Sequence, residues 1–181
     1  MIKLSKTDKW YKLDNAAKIF PPTTTTYDPK IFRFSVLLKQ DVNKENLQKA
    51  VNLTLEDFPI FKSILKKGLF WYYLEGTNTN PLIKEETSSP CEKLNTPLLF
   101  EVTYFKNKIN LEVYHALSDG AGCITFFENL IYNYLKIEHH LKDNAILTKS
   151  SSYEKETDSF SKYCNPKNKI KIASKEKAYQ L

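Results

Sequence analysis

The sequence predicts an α+β fold, in which a mixed, mostly antiparallel sheet packs against helices. Three observations predict it. Residues 31–39 alternate apolar and polar side chains, as a half-buried strand does. Two pairs of strand-like segments, at 61–74 and 98–115, are each divided by turn-forming residues. Two further segments, at 43–58 and 121–136, carry apolar residues at helical spacing.

The first element is a short apolar turn that precedes the alternating strand. Asp14 and Asn15 predict a helix start, and Pro21 with Pro22 predicts its end, because proline lacks the backbone donor that a helix interior needs. A threonine-rich loop leads to the strand at 31–39. The predicted buried face of that strand consists of Phe32, Phe34, Val36 and Leu38.

Residues 43–58 form the clearest helix by period, and a proline follows it. The segments Phe61–Leu65 and Leu69–Leu74 come next, and the turn-forming residues between them predict a hairpin. The aromatic run at 70–73 suits either a base-stacking platform or a strand with large residues on both faces. The strand is the favoured interpretation, because aromatic residues are enriched in strands.

A second hairpin and a second helix complete the predicted fold. Leu98–Phe105 and Ile109–His115 are predicted strands, joined by a turn at 106–108. The helix at 121–136 is expected to bury one apolar stripe. That stripe consists of Ile124, Phe127, Leu130, Ile131, Tyr134 and Leu135.

The strongest chemical signal is the pattern His115-x-x-x-Asp119-Gly120, which lies between the last strand and the last helix. His115 shares strand parity with the apolar residues of the strand at 109–113, so an imidazole continues an apolar face. Asp119 suits the N-cap of the helix, and Gly120 permits a close turn that leaves room beside the imidazole. The alternative is a core histidine followed by an ordinary N-cap. The strand–turn–helix context favours a functional site.

Length and composition limit the class of protein. A chain of 181 residues is one domain or a fragment of a larger protein, and it is long enough to fold without a disulfide or metal staple. No apolar run approaches the roughly 18 residues of a membrane span, and the N-terminus lacks the apolar core of a signal peptide. Cys91, Cys123 and Cys164 are far apart and odd in number, which predicts free thiols in a reducing cytoplasm.

The net charge of +6 does not indicate a nucleic-acid partner, because most of the excess lies in the C-terminal tail. Residues 139–181 carry nine lysines against five acidic residues, and Arg33 is the one arginine of the chain. Arginine is the usual reader of guanine edges and phosphates, so nucleic-acid binding is not favoured. His139 and His140 would point apart on a helix and have no third ligand at a useful spacing, so no metal site is predicted.

On these residues the chain resembles the N-terminal half domain of acyltransferases with the chloramphenicol acetyltransferase fold, which include condensation domains and alcohol O-acetyltransferases. The pattern from His115 to Gly120 matches their signature at the expected end of a hairpin strand. The residues at 12–20 and 68–73 look most like the bacterial alcohol O-acetyltransferases. The resemblance implies an acyltransferase-like domain over 1–140. It implies a Ser- and Lys-rich tail or crossover segment over 141–181, toward a missing C-terminal half.

The resemblance also implies a mechanism. His115 is expected to be the general base that takes a proton from an alcohol or amine while this acceptor attacks an acyl thioester. The co-substrate is expected to be acyl-CoA, such as acetyl-CoA, with no tightly bound cofactor and no metal. Asp119 and Gly120 are expected to shape the turn, and Asp119 to pair with a basic side chain. Arg33 and Lys62 are the candidates for that partner.

Direct attack by the acceptor needs no enzyme nucleophile, so Cys123 is interpreted as a packing residue. Two functions remain open. The first is CoA-dependent acyl transfer, by this chain or by the enzyme of which it is the catalytic N-terminal half. The second is a non-catalytic half domain that acts as an oligomerisation or interaction module. A half-fold leaves a sheet edge and an apolar face exposed, so we expect a homo-oligomer or a separate C-terminal half as the partner.

Overall fold

The computed structural model describes residues 9–141, which form two sheets and three α-helices beside two short 3-10 turns. The strands are β1 (Trp10–Lys12), β2 (Ile31–Leu37), β3 (Ser63–Lys67), β4 (Tyr72–Gly76), β5 (Lys84–Glu85), β6 (Phe100–Phe105) and β7 (Lys108–Tyr114). The helices are α1 (Phe20–Thr23), α2 (Lys44–Asp57) and α3 (Gly120–Glu138). The 3-10 turns span Ala17–Ile19 and Pro59–Phe61.

The strands of the described residues pair into one small and one larger sheet. The small sheet has the order β1-β4-β3, and all its pairs are antiparallel. The larger sheet has the order β2-β7-β6-β5, in which the pair of β5 with β6 is parallel and the others are antiparallel. This mixed, mostly antiparallel arrangement beside helices confirms the predicted fold class and both predicted hairpins.

One buried cluster of four phenylalanines joins the helices to the larger sheet. Phe126 of α3 stacks on Phe61, with ring centroids 4.0 Å apart. It also meets Phe58 and Phe100 edge to face, at 5.4 and 5.6 Å. These rings come from the end of α2, the 3-10 turn after it, β6 and α3. Edge-to-face and stacked aromatic contacts therefore fix four elements relative to one another.

Strand β7 lies inside the larger sheet and leads to the candidate histidine. Its apolar face, Ile109, Leu111 and Val113, is fully buried. The opposite face carries polar side chains that are buried too, because the chain at 86–91 crosses that side and bonds to them. The alternation that predicts a strand is therefore present, but both faces of β7 are covered.

Two predictions are corrected, one for the prolines after Phe20 and one for the aromatic run at 70–73. Pro21 and Pro22 lie inside α1 rather than ending a turn, since the first residues of a helix need no intrahelical donor. Phe70 and Trp71 lie in the turn between β3 and β4, not in a strand. There the Gly68 N–H donates to the Trp71 carbonyl oxygen at 2.7 Å, which places the turn a few residues later than predicted.

The buried stripe of α3 differs from the predicted one at its first turn. Ile124 is 44% exposed, whereas Cys123 and Phe126 are fully buried. Phe127, Leu130 and Tyr134 are buried as predicted. The helix is apolar on more than one side, so its period alone did not determine which residue of the first turn faces the core.

The C-terminal segment predicted over 141–181 lies outside the described residues apart from Leu141. Within residues 9–141, no helix combines the length and the apolar character that crossing a bilayer requires.

Candidate active site

His115 lies one residue beyond the end of β7, in the turn that leads to α3. Its backbone N–H donates to the Lys30 carbonyl oxygen at 2.9 Å, which extends the pairing of β2 with β7 past Tyr114. Lys30 has a φ of 57°, a left-handed conformation that is unfavourable for a residue with a Cβ. The Leu117 N–H then donates to the Tyr114 carbonyl oxygen at 2.9 Å. The backbone at His115 is thus held from both sides.

Two phenylalanine rings contact the His115 imidazole. Phe20 of α1 stacks on it, with centroids 4.7 Å apart and planes 14° apart. Phe32 of β2 lies 4.3 Å away, tilted by 42°. The residue is half-buried, and neither of its ring nitrogens has a hydrogen-bond partner within residues 9–141. No described side chain therefore competes with a ligand for these nitrogens.

The surroundings of His115 favour the neutral form of the imidazole. Burial lowers the pKa of His115 from its ordinary value of 6.5, because a charged ring is poorly solvated there. The Asp119 carboxylate acts to raise this pKa, and the positive charge of Lys30 acts to lower it. The lowering prevails, so the imidazole can accept a proton at neutral pH.

Asp119 caps α3, as the sequence predicts. Its Oδ1 accepts a hydrogen bond from the Gly122 backbone N–H at 2.8 Å, which satisfies one of the donors that a helix start leaves unpaired. The residue itself is exposed. This bond ties the first turn of α3 to the end of the turn that carries His115.

The expected ion pair of Asp119 with Arg33 is not formed. Arg33 bonds to Glu112, with Nε donating to Oε1 at 2.9 Å, and to Glu86. The register of β2 with β7 places Arg33 directly opposite Glu112. Because strand residues alternate between faces, this pair lies on the sheet face opposite the one that His115 continues. Arg33 therefore reinforces the strand that leads to His115 without touching the motif.

Lys62, the other candidate partner, is placed elsewhere as well. It follows the 3-10 turn Pro59–Phe61, and its Nζ donates to Asn80 Oδ1 at 3.0 Å. Within residues 9–141, Asp119 has no ion-pair partner. The capping bond to Gly122, rather than a salt bridge, is what holds the Asp119 carboxylate here.

The two glycines at the start of α3 differ in the space around them. A Cβ added at Gly120 would meet no atom of the described residues within 4 Å, so the space beside this glycine is open. Gly122 is the crowded position. A Cβ there would lie 2.3 Å from Ser118 Oγ and 3.3 Å from Asp119 Oδ1. Sequence reasoning missed Gly122 and Ser118, although both stand within three residues of Asp119.

Cys123 is fully buried on α3, and burial raises the pKa of its thiol to about 12. A thiol with that pKa is a poor nucleophile at neutral pH, which agrees with a packing role. His139 and His140 lie exposed at the end of α3. In the part of the chain that the structure describes, no three His, Cys, Asp or Glu side chains gather closely enough to hold a metal ion.

Sequence reasoning also missed the segment that covers His115. Thr24 Oγ1 and the Tyr114 hydroxyl lie 2.6 Å apart, so the segment that carries Phe20 is anchored to the residue just before the histidine. This bond joins positions 90 residues apart in the chain. A local pattern such as the phenylalanine before two prolines could mark a turn, but it could not reveal a contact across that distance.

Two cavities of the described residues lie away from His115. One, of about 330 Å³, is lined by Trp10, Trp71, Tyr73 and Glu75 on the small sheet. The other, of about 340 Å³, lies between the end of β2 and the end of α3.

The fold has counterparts among solved structures. A variant of the starter condensation domain of rhizomide synthetase RzmA, in complex with C8-CoA, matches with a TM-score of 0.58 and 10% identity, over 76% of this chain and 38% of that chain. The first condensation domain of the calcium-dependent antibiotic synthetase, in complex with a substrate analogue, matches with a TM-score of 0.56 and 15% identity, over 77% and 40%. The fold is that of condensation domains.

Polyketide synthase associated protein 5 from Mycobacterium tuberculosis shares the fold too, with a TM-score of 0.54 and 14% identity over 71% of this chain and 33% of that chain. The chain therefore spans two fifths or less of the length of these three structures. No protein-family model matches the sequence, and no curated protein matches it. At such low identity the condensation-domain likeness establishes a shared fold and not a shared reaction.

Proposed function

We propose that this chain takes part in the transfer of an acyl group from acyl-CoA to an alcohol or amine, with His115 as the general base. The observation that carries the proposal is the His115 imidazole itself. It lies at a strand end of a condensation-domain fold, its pKa is lowered by burial, and its ring nitrogens have no hydrogen-bond partner within residues 9–141. A neutral, unpaired imidazole is what a general base requires.

In the proposed reaction His115 removes the proton of the acceptor hydroxyl or amine. The acceptor atom forms a bond to the acyl carbon as the carbon–sulfur bond of the thioester breaks. The proton then passes from the imidazole to the departing sulfur, which leaves as the free thiol, and an ester or amide is released. Asp119 and Gly120 serve this step by shaping the turn between His115 and α3, with the capping bond of Asp119 as its support.

The choice of donor and acceptor also belongs to the proposal. The neighbour in complex with C8-CoA supports a CoA thioester as the donor. The likeness of residues 12–20 and 68–73 to bacterial alcohol O-acetyltransferases supports an alcohol acceptor and a short acyl group. No metal or tightly bound cofactor has a part in this chemistry.

The test follows CoA thiol release from acetyl-CoA and octanoyl-CoA with a panel of alcohols and amines. We expect His115→Ala to lower the acceptor-dependent rate by about 10²- to 10⁴-fold, the usual worth of general base catalysis. His139→Ala is the matched control, because it removes an exposed histidine at the far end of α3. Equal acceptor-dependent release by the wild type and His115→Ala would refute the proposed role of His115.

A second candidate function is a non-catalytic half domain that binds a partner. The observation that favours it is the edge of the larger sheet, because within residues 9–141 no further strand pairs with β2. Binding of acetyl-CoA or CoA to the purified chain separates the two functions. A wild-type chain that neither binds CoA in calorimetry nor releases thiol, with any acceptor of the panel, would favour the interaction module.

A further inference from the structure

We propose that Phe20 is a positioning residue that fixes the orientation of the His115 imidazole plane. Phe20 lies on α1, and the hydrogen bond between Thr24 and Tyr114 holds this segment in place. The proposal deepens the proposed function and rests on it for its catalytic meaning. The structural part of the proposal does not depend on any reaction: a segment that is hydrogen-bonded to Tyr114 holds the imidazole ring of His115.

The two residues at the end of β7 both contact the same short segment. Tyr114 and Val113 lie on opposite faces of β7, and the His115 imidazole contacts Phe32, which pairs with Val113. Tyr114 nevertheless bonds to Thr24, 2.6 Å away, while His115 stacks on Phe20. The segment at 20–24 therefore reaches around the strand end and contacts it on both sides. A rotation of the imidazole out of its plane would have to displace Phe20 and strain the hydrogen bond between Thr24 and Tyr114.

The segment is stiff enough to act in this way. Pro21 and Pro22 restrict the backbone of α1, because the pyrrolidine ring fixes φ. Two hydroxyls close the segment further: Thr23 Oγ1 donates to the Ile19 carbonyl oxygen at 2.6 Å, and Thr24 Oγ1 donates to the Phe20 carbonyl oxygen at 2.8 Å. A pre-ordered segment loses little entropy when it holds a ring in place.

The Phe20 ring affects the pKa of His115 as well as the orientation of the imidazole. The charged groups that act on the imidazole are Asp119, which raises its pKa, and Lys30, which lowers it. Burial is the larger influence and keeps the pKa of His115 below its ordinary value, and Phe20 supplies part of that burial. Removal of the Phe20 ring is therefore expected to move the pKa of His115 upward.

The test is an NMR titration of the His115 ring protons in the full 181-residue chain, with His115→Ala to assign the signal. We expect Phe20→Ala to raise the pKa of His115 toward 6.5. Phe70→Ala is the matched control, since Phe70 is 84% exposed in the turn between β3 and β4, and it is expected to leave the titration unchanged. Tyr114→Phe removes only the hydroxyl that bonds to Thr24, so it is expected to raise the pKa of His115 less than Phe20→Ala does.

Kinetics give a second measurement. Misplacement of a catalytic group by about 1 Å can reduce a rate by about 100-fold, so Phe20→Ala is expected to lower kcat by up to that factor with little change in KM for the donor. Phe20→Leu keeps an apolar cover and is expected to restore part of kcat. An unchanged His115 titration in Phe20→Ala would overturn the positioning role. Loss of the effect of His115→Ala on catalysis would refute the proposed function but leave the titration result intact.

Discussion

At the scale of single residues, the two glycines at the start of α3 differ in whether neighbouring atoms leave room for a side chain. Gly120 has open space where a side chain would begin, and Gly122 does not. The contact that crowds Gly122 is the Ser118 hydroxyl, and the same glycine donates its N–H to Asp119. A side chain at Gly122 therefore disturbs both the serine and the N-cap, although alanine is otherwise the better helix former.

This difference predicts that alanine is tolerated less well at Gly122 than at Gly120. Gly122→Ala is expected to lower the free energy of unfolding by about 1 kcal/mol relative to Gly120→Ala, because the Ser118 side chain must rotate away from the added methyl group. Urea denaturation of both variants measures the difference. Ser118→Ala removes the clashing hydroxyl, so Gly122→Ala is expected to be less harmful in that background. Equal stabilities of Gly120→Ala and Gly122→Ala would contradict the crowding at Gly122.

At the scale of elements, the polar face of the larger sheet is held by a half-buried ionic network. Arg33 of β2 bonds to Glu112 of β7 and to Glu86, and Lys108 pairs with Glu86 at 2.9 Å. The Arg33 side chain is 13% exposed and that of Glu86 is 14% exposed. Removing one partner from such a network is more harmful than the net contribution of the network to stability suggests, because it leaves a poorly solvated charge without compensation.

The network predicts a pH-dependent effect of Arg33→Leu. Burial acts to raise the pKa of Glu86, but hydrogen bonds from Arg33 and Lys108 outweigh it and hold the pKa below 4.5. A carboxyl with a lowered pKa stabilises the fold above about pH 4.5, and this contribution is lost as the pH falls through the folded-state value. We expect Arg33→Leu to lose about 3 kcal/mol of unfolding free energy at pH 7. Its further loss on acidification is expected to be smaller than that of the wild type.

Lys62→Leu is the matched control for this measurement, since Lys62 bonds to the neutral Asn80 side chain rather than to a carboxylate. It is expected to leave the acid dependence of stability unchanged. Parallel stability curves for the wild type and Arg33→Leu between pH 3 and pH 7 would show that Arg33 does not set the pKa of Glu86.

At the scale of the whole molecule, the larger sheet ends at β2 within the part of the chain that the structure describes. β2 is a terminal strand of that sheet, and within residues 9–141 no further strand pairs with it. It is seven residues long, and Leu37 at its end is 72% exposed. A long edge with apolar residues is a template for pairing with another chain.

We therefore expect the purified chain to self-associate through β2, with a mass in sedimentation above the 21.1 kDa of one chain. Leu37→Lys is expected to shift the distribution toward the monomer, because a charge on an edge opposes strand pairing. Leu82→Lys is the control, as Leu82 is 81% exposed on a loop. A wild type that is monomeric at all concentrations would show that this edge does not pair.

The sequence by itself determined the motif and the longer elements, but not the short strands β1 and β5. The spacing of apolar residues predicted α2, α3 and β2, because a buried face repeats at a fixed interval along the chain. Turn-forming residues between strand-like segments predicted both hairpins. The same local logic predicted the cap of α3, since the capping bond joins Asp119 to Gly122, three residues away. Each of these features depends on neighbours in the chain.

Only the tertiary structure decided which side chains surround the imidazole and which charged side chains form ion pairs. Phe20 reaches His115, and Thr24 reaches Tyr114, across about 90 residues. Arg33 was a candidate partner of Asp119 by charge, yet the register of β2 with β7 sets it against Glu112 on the other face of the sheet. Contacts of this kind are selected by packing and strand register, which no local pattern encodes.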